Sequence, residues 1–258
     1  EVMALLTLQD FPTDEDKIPD FISQMIAEHE QNEAVEMART ANLYDHQKNK
    51  TVNEYVQKIY SSTGVSVRNY VASNNKIASN FFRRLNTQRC AYSLGNGVTF
   101  ASDKDTDGKV KQDGGTKAKL GKTFDTELYR AGYLALIHGV SFVFFNFDHI
   151  HVFPLTEFVP LWDENDGTLR AGLRYWRIDG TKPTIAVLYT EDGYRRFKSK
   201  SGYARFEKDG DLRAYKQTIS KAPADAEPEV IAEENYSRLP IVPLWGSRLH
   251  QSTLVGLQ

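Results

Sequence analysis

The stretch from Gly132 to Trp162, GYLALIHGVSFVFFNFDHIHVFPLTEFVPLW, is the most apolar part of the chain. Leu134, Leu136, Val140, Phe142, Val143, Phe144 and Phe145 give the dense β-branched and aromatic order of a core strand. The first residues read as the end of a helix. Gly139 separates that helix from the strands that follow. Asp148 and His149 sit where the strand should turn. Pro154 and Pro160 bracket a short extended piece, because each proline pushes the residue before it out of the helical region. A helix end followed by two or three buried strands is therefore expected here, with no catalytic group in view.

Upstream, Phe124 to His138 has a helical face of Phe124, Leu128, Ala131, Ala135 and Leu136. Residues 102–122 are poor in apolar residues and read as a mobile surface loop. Asn74 to Leu94 reads as the clearest helix. Ile77, Phe81, Phe82, Leu85, Cys90 and Tyr92 lie mostly on one side and Arg83, Arg84 and Arg89 on the other, with a stop at Gly95-Asn96-Gly97. Val98 to Phe100 starts a strand. Val65 to Val71 alternates, and Thr51 to Thr63 has helical spacing that Ser61, Ser62 and Gly64 terminate. Nearest the N-terminus, Ile18, Phe21, Ile22, Met25 and Ile26, then Ala34, Met37, Ala38, Ala41 and Tyr44, form two amphipathic helices or one bent helix.

Downstream come strand-like runs at Leu169 to Ile178, Thr184 to Thr190 and Gly193 to Ser199, the last two joined by the hairpin signal Glu191-Asp192-Gly193. Tyr203 to Lys208 and Leu212 to Thr218 are expected to pair around Asp209-Gly210-Asp211. Ser220 to Glu234 reads as a loose excursion, Leu239 to Trp245 as extended, and Ser252 to Gln258 as the start of another helix. Helices first, then a helix–strand core, then an antiparallel β meander make the class α+β, not alternating βαβ. The expected division is an N-terminal helical segment over 1–63 and a core with the meander over 64–258.

The totals restrict the function. The 258 residues carry a formal net charge of -2, which disfavours tight nucleic-acid binding through a basic face. One cysteine, Cys90, excludes an internal disulfide and fits a reducing compartment. No apolar run approaches the ~18 residues of a membrane span, and nothing at the N-terminus resembles a signal peptide. The chain begins at Glu1 without Met and ends at Gln258 with no stop signal, so it reads as a fragment.

Candidate chemistry is sparse. Asp103, Asp105 and Asp107, followed by Gly108, match the opening of a calcium loop, but Gly114 stands where the bidentate twelfth-position Glu belongs. A solvated acidic turn is the simpler reading. His149 and His151 share a strand face as a metal pair would, without a third ligand at a recognisable spacing. Gly95-x-Gly97 follows a helix instead of preceding one, so it is no phosphate loop. Cys90 reads as a buried helix residue. Arg83, Arg84, Arg89, Lys117, Lys119 and Lys122 read as a solvated face and a charged loop. No catalytic or cofactor-binding residue is assigned, and no cofactor is expected. A divalent-metal module and a carboxylate-dependent hydrolase stay open as alternatives.

Several blocks, in order, resemble the portal proteins of tailed bacteriophages, most of all those of long-tailed phages of Gram-positive hosts. Asn74-Asn75-Lys76-Ile77, Phe81 and Tyr92-Ser93-Leu94-Gly95-Asn96-Gly97-Val98 are similar to that family's helix and turn. His138-Gly139-Val140-Ser141-Phe142 with Asp148 resembles the next block. Pro154, Glu157, Phe158, Val159, Pro160 and Leu161, with Asp163, resemble a strand that follows. Leu173-Arg174-Tyr175-Trp176 and Leu239-Pro240-Ile241-Val242-Pro243-Leu244 resemble two more. Ser252-Thr253-Leu254 sits where the family enters its long helix. Tyr44-Asp45-His46 and Asn96-Gly97 depart from the family pattern.

The resemblance spans roughly residues 20–258 and implies a structural, non-enzymatic protein. It implies a homo-oligomeric ring, commonly of twelve subunits, at the capsid vertex of the virion, assembled in the host cytoplasm. Terminase pumps double-stranded DNA through such a ring without sequence-specific binding, and the DNA later leaves by it. Capsid, scaffolding and head-completion proteins are the other implied partners; a membrane is not. By the same resemblance the chain is the wing, and the stem begins near 252–258. A near-neutral wall suits DNA that must slide, since each neutralised phosphate strengthens binding by counterion release.

Overall fold

The computed structural model describes residues 6–46, 56–71, 80–104, 110–112, 114–199, 205–220 and 230–257. In chain order its helices and strands begin with α1 (Ile18–Glu30) and α2 (Glu33–Asp45). A hairpin of β1 (Lys58–Tyr60) and β2 (Ser66–Arg68) follows, then α3 (Phe81–Leu94). β3 (Ala101–Lys104) pairs with β4 (Val110–Gln112), and α4 (Gly114–Lys119) leads into α5 (Phe124–His138). The strands of the core are β5 (Val140–Asn146), β6 (His149–Pro154), β7 (Phe158–Trp162), β8 (Leu169–Trp176), β9 (Thr184–Thr190), β10 (Gly193–Ser199) and β11 (Phe206–Lys208). β12 (Lys216–Ile219), β13 (Val230–Glu234) and β14 (Ile241–Trp245) complete the set.

Two antiparallel sheets hold the core. One has the order β11-β10-β9-β8-β7, the meander expected from the hairpin signals. The other has the order β14-β5-β6, so β5, the strand that Gly139 introduces, is central. Its partner β14 comes from about a hundred residues later, with Val242 opposite Val143. Pro160 lies in β7, an edge strand, where its missing N–H costs no ladder bond.

Alternation along the strands decides what each face covers. Leu161, Leu173, Leu188 and Phe197 point to α1, whose Ile18, Phe21, Ile22, Met25 and Ile26 fall on one helical stripe and are buried. Ile185, Val187 and Tyr189 point the other way, onto Phe142, Phe144 and Phe153 of the three-stranded sheet. Phe158 fits between the sheets because residue 172 is glycine: a Cβ there would lie 2.2 Å from the Phe158 ring. The Phe158 ring centroid is 4.4 Å from that of Phe142.

α5 packs behind the three-stranded sheet, where Ser141 Oγ donates to the Ala131 carbonyl at 2.8 Å. Gly139 ends α5 with φ of 90°, a conformation that L side chains rarely adopt. Its carbonyl accepts from Gly246 N at 3.0 Å, and a Cβ on Gly246 would come within 2.0 Å of the Ala135 carbonyl. Backbone therefore meets backbone where β14 crosses the end of α5. α2, capped by the Asn32 side chain accepting from Ala34 N, brings Ala41 against Phe82, Ile137 and Leu254.

Several expectations change. The stretch 102–122, read as a loop, contains part of β3, then β4 and α4; its residues 105–109 and 113 lie outside the described set. Phe206 to Lys208 pairs with β10, not with the segment after Asp209-Gly210-Asp211. That later segment gives β12, whose partner is β13, inside the stretch read as a loose excursion. Lys58 to Tyr60 is strand and not helix, because it pairs with Ser66 to Arg68 across the Ser61–Gly64 turn. The strand expected from Val98 begins at Ala101. A 3-10 turn, Leu155–Glu157, interrupts the piece between the two prolines, and Thr253–Leu257 is likewise 3-10. The described part of the helix expected from Asn74 starts at Phe81, behind an Asn80 cap; residues 72–79 lie outside the described set.

Candidate functional site

The residues singled out for chemistry lie on separate elements of the structure where they are described. Asp103 lies in β3, while Asp105 and Asp107 fall outside the described residues. Among the described residues no three His, Cys, Asp or Glu side chains are grouped to hold a metal ion. His149 and His151 do share a face of β6, with their Nε2 atoms 3.0 Å apart. His149 Nδ1 also meets the Asp148 carboxylate at 2.5 Å. Burial, and then His149 and Arg174, hold His151 below its ordinary pKa.

Cys90 is buried, its thiol donates to the Tyr129 carbonyl at 3.4 Å, and burial raises its pKa, all of which make it unreactive. The Gly95–Gly97 turn clamps α3 to α5. Val98 N donates to Asp125 Oδ1 at 3.1 Å, and Lys117 Nζ sits 2.6 Å from the same carboxylate. The hydrogen bond from Lys117 is the main reason that Asp125 is held below the usual carboxylate range. Arg83, Arg84 and Arg89 lie on the exposed side of α3, and Lys119 and Lys122 are exposed as well.

What the structure brings together instead is an apolar surface. α3 buries Phe82, Asn86 and Cys90, a stripe that includes a polar residue. Phe81 (61% exposed), Leu85 (52%) and Tyr92 (84%) form a second stripe at helical spacing that faces solvent. The sequence reading placed all the apolar residues of this helix on one side; the structure divides them between two. In the β1–β2 hairpin, Ile59 and Val67 are cross-strand partners and both are exposed, as are Tyr60, Val65, Tyr70 and Val71. Groups of exposed apolar side chains of this kind are candidates for interaction surfaces.

The family model described as phage portal protein, SPP1 Gp6-like, matches residues 23–244. The chain belongs to this family. The match runs from within α1 to the fourth residue of β14, so it takes in both sheets and the exposed face of α3. No curated protein matches the chain. Membership makes the protein a structural component of the phage capsid and part of an oligomeric portal assembly, which accounts for apolar surface that one copy leaves uncovered. No helix among the described residues is long and apolar enough to cross a membrane.

Proposed function

We propose that the chain is the wing of a portal subunit, and that copies of it close into a ring, commonly of twelve, at the capsid vertex. Terminase drives double-stranded DNA through the hole during packaging in the host cytoplasm, and the DNA leaves by the same route at ejection. Capsid, scaffolding and head-completion proteins bind the outside of the ring. The stem begins near 252–258, residues 1–63 are the helical part of the wing, and 64–258 are its core. The wing acts without catalysis.

The observation that carries this reading is the uncovered stripe Phe81, Leu85 and Tyr92 on a helix whose opposite face is already packed. A ring needs a heterologous interface, in which two different patches of the same chain meet and rotation closes the circle. The solvent-facing stripe of α3 supplies one such patch. Native mass spectrometry of the intact protein tests the reading. The wild type should give a closed oligomer, and Leu85→Glu should shift it to monomer while changing the stability of the isolated subunit by no more than about 0.5 kcal/mol. A wild type that stays monomeric, or a Leu85→Glu ring of unchanged mass, contradicts it.

A further inference from the structure

A two-stranded ribbon is marginally stable in water unless a helix or further strands cover it. The β12–β13 ribbon is bare: every residue of β13 is exposed, and so is Ile219 of β12, the cross-strand partner of Val230. Alternation along β12 puts Gln217 and Ile219 on one face, together with their partners Glu233 and Val230. Lys216 and Glu234 fall on the other face, where they form an ion pair at 3.4 Å and Lys216 sits over the Tyr236 ring. On the first face Glu233 accepts from the Gln217 amide at 2.7 Å and has no ion pair among the described residues. That face is therefore apolar at one end and carries an unneutralised carboxylate at the other.

α3 has the complementary character. Its bare stripe of Phe81, Leu85 and Tyr92 is flanked on the helical wheel by Arg84 and Arg89. The helix contains no acid, and neither arginine forms an ion pair among the described residues. The β1–β2 ribbon is bare too, but it carries Lys58 and Arg68 and no acid, so its charge opposes a contact with α3. Position agrees with charge. α3 packs on α5, behind the three-stranded sheet. β12 starts directly after Tyr215, whose ring lies between the two sheets, its centroid 6.2 Å from that of Phe144 and 6.0 Å from that of Tyr194. The helix and the ribbon thus lie on opposite sides of the three-stranded sheet, as the two halves of a head-to-tail contact must.

We propose that the occupant of the β12–β13 face is α3 of a second copy of this chain: the stripe of one subunit packs on Ile219 and Val230 of the next, and the flanking arginines pair with Glu233. This inference rests on the ring reading and names the patch that α3 meets.

Two measurements on the intact protein test it. In native mass spectrometry, Arg84→Glu with Arg89→Glu should lower the fraction of closed oligomer about tenfold, and adding Glu233→Arg should restore it to within about twofold of wild type. In cross-linking by copper phenanthroline oxidation, a chain with both Gln88→Cys and Ile219→Cys should give a covalent ladder of subunit multiples. A mixture of the two single variants should stop at dimer, and either single variant alone should give none, since Cys90 is buried. A wild type that stays monomeric overturns the ring and this inference together. A wild-type ring that gives no ladder from the double-cysteine chain, or that Glu233→Arg fails to restore, overturns this inference alone. So does a ladder obtained with Gln88→Cys and Val67→Cys instead, which would assign the contact to the β1–β2 ribbon.

Discussion

His29 and His138 are buried histidines with incomplete solvation, and burial pushes both well down, to about 4. His29 Nδ1 lies 3.0 Å from the Tyr175 hydroxyl, which itself donates to Glu30, so Nδ1 is the donor, and burial keeps the ring neutral. His138 Nε2 meets Asn42 Oδ1 at 2.8 Å. In the unfolded chain both rings protonate near 6.5, whereas the folded state resists until about 4. Between those values the unfolded state binds more protons, so stability is full above 6.5 and falls as pH drops toward 4. The slope is up to ~1.4 kcal/mol per pH unit for each ring. Urea midpoints measured across this range should decline and should be flat above it. Replacing His138 with Gln should make the decline shallower; an equally steep decline would contradict the assignment.

At the scale of elements, local signals carried most of the fold. Gly139 with the apolar run after it placed α5 and β5, and Glu191-Asp192-Gly193 placed the β9–β10 turn. Pairing between distant segments was not legible. Asp209-Gly210-Asp211 looks like a hairpin, but Phe206 is buried by pairing back to β10, and the chain then bridges Tyr194 at Arg213. A turn motif shows where the chain bends and leaves open which edge takes the next strand. In α3, periodicity placed Phe81, Phe82, Leu85, Cys90 and Tyr92 on a helix, but not which stripe is covered, because the inward stripe includes Asn86, tied to Thr253 at 3.0 Å.

β14 gives the sharpest prediction at this scale. It closes the three-stranded sheet, with Ile241 buried opposite Phe144. Ile241→Ala should cost about 2–5 kcal/mol, read as a lower denaturation midpoint at constant m-value. A loss below ~1 kcal/mol would mean that β14 is a loosely attached edge.

At the scale of the molecule, α1, the five-stranded sheet, the three-stranded sheet and α5 stack into layers around two buried apolar clusters. α3 and the β1–β2 hairpin carry part of the uncovered apolar surface, and the β12–β13 pair carries more at Ile219, Val230 and Ile231. A packed core with bare apolar stripes agrees with a subunit of the oligomeric assembly that membership of the portal family implies. The family was legible in the order of short blocks along the chain; the joining surface was not, since exposure is a property of the packed molecule.

Electron microscopy of the intact protein tests the central claim most directly. The account predicts a ring with a central hole wide enough for a DNA duplex, with α3 of each subunit buried against its neighbour. Single particles without a hole, or a ring in which Phe81, Leu85 and Tyr92 all face solvent, would contradict it.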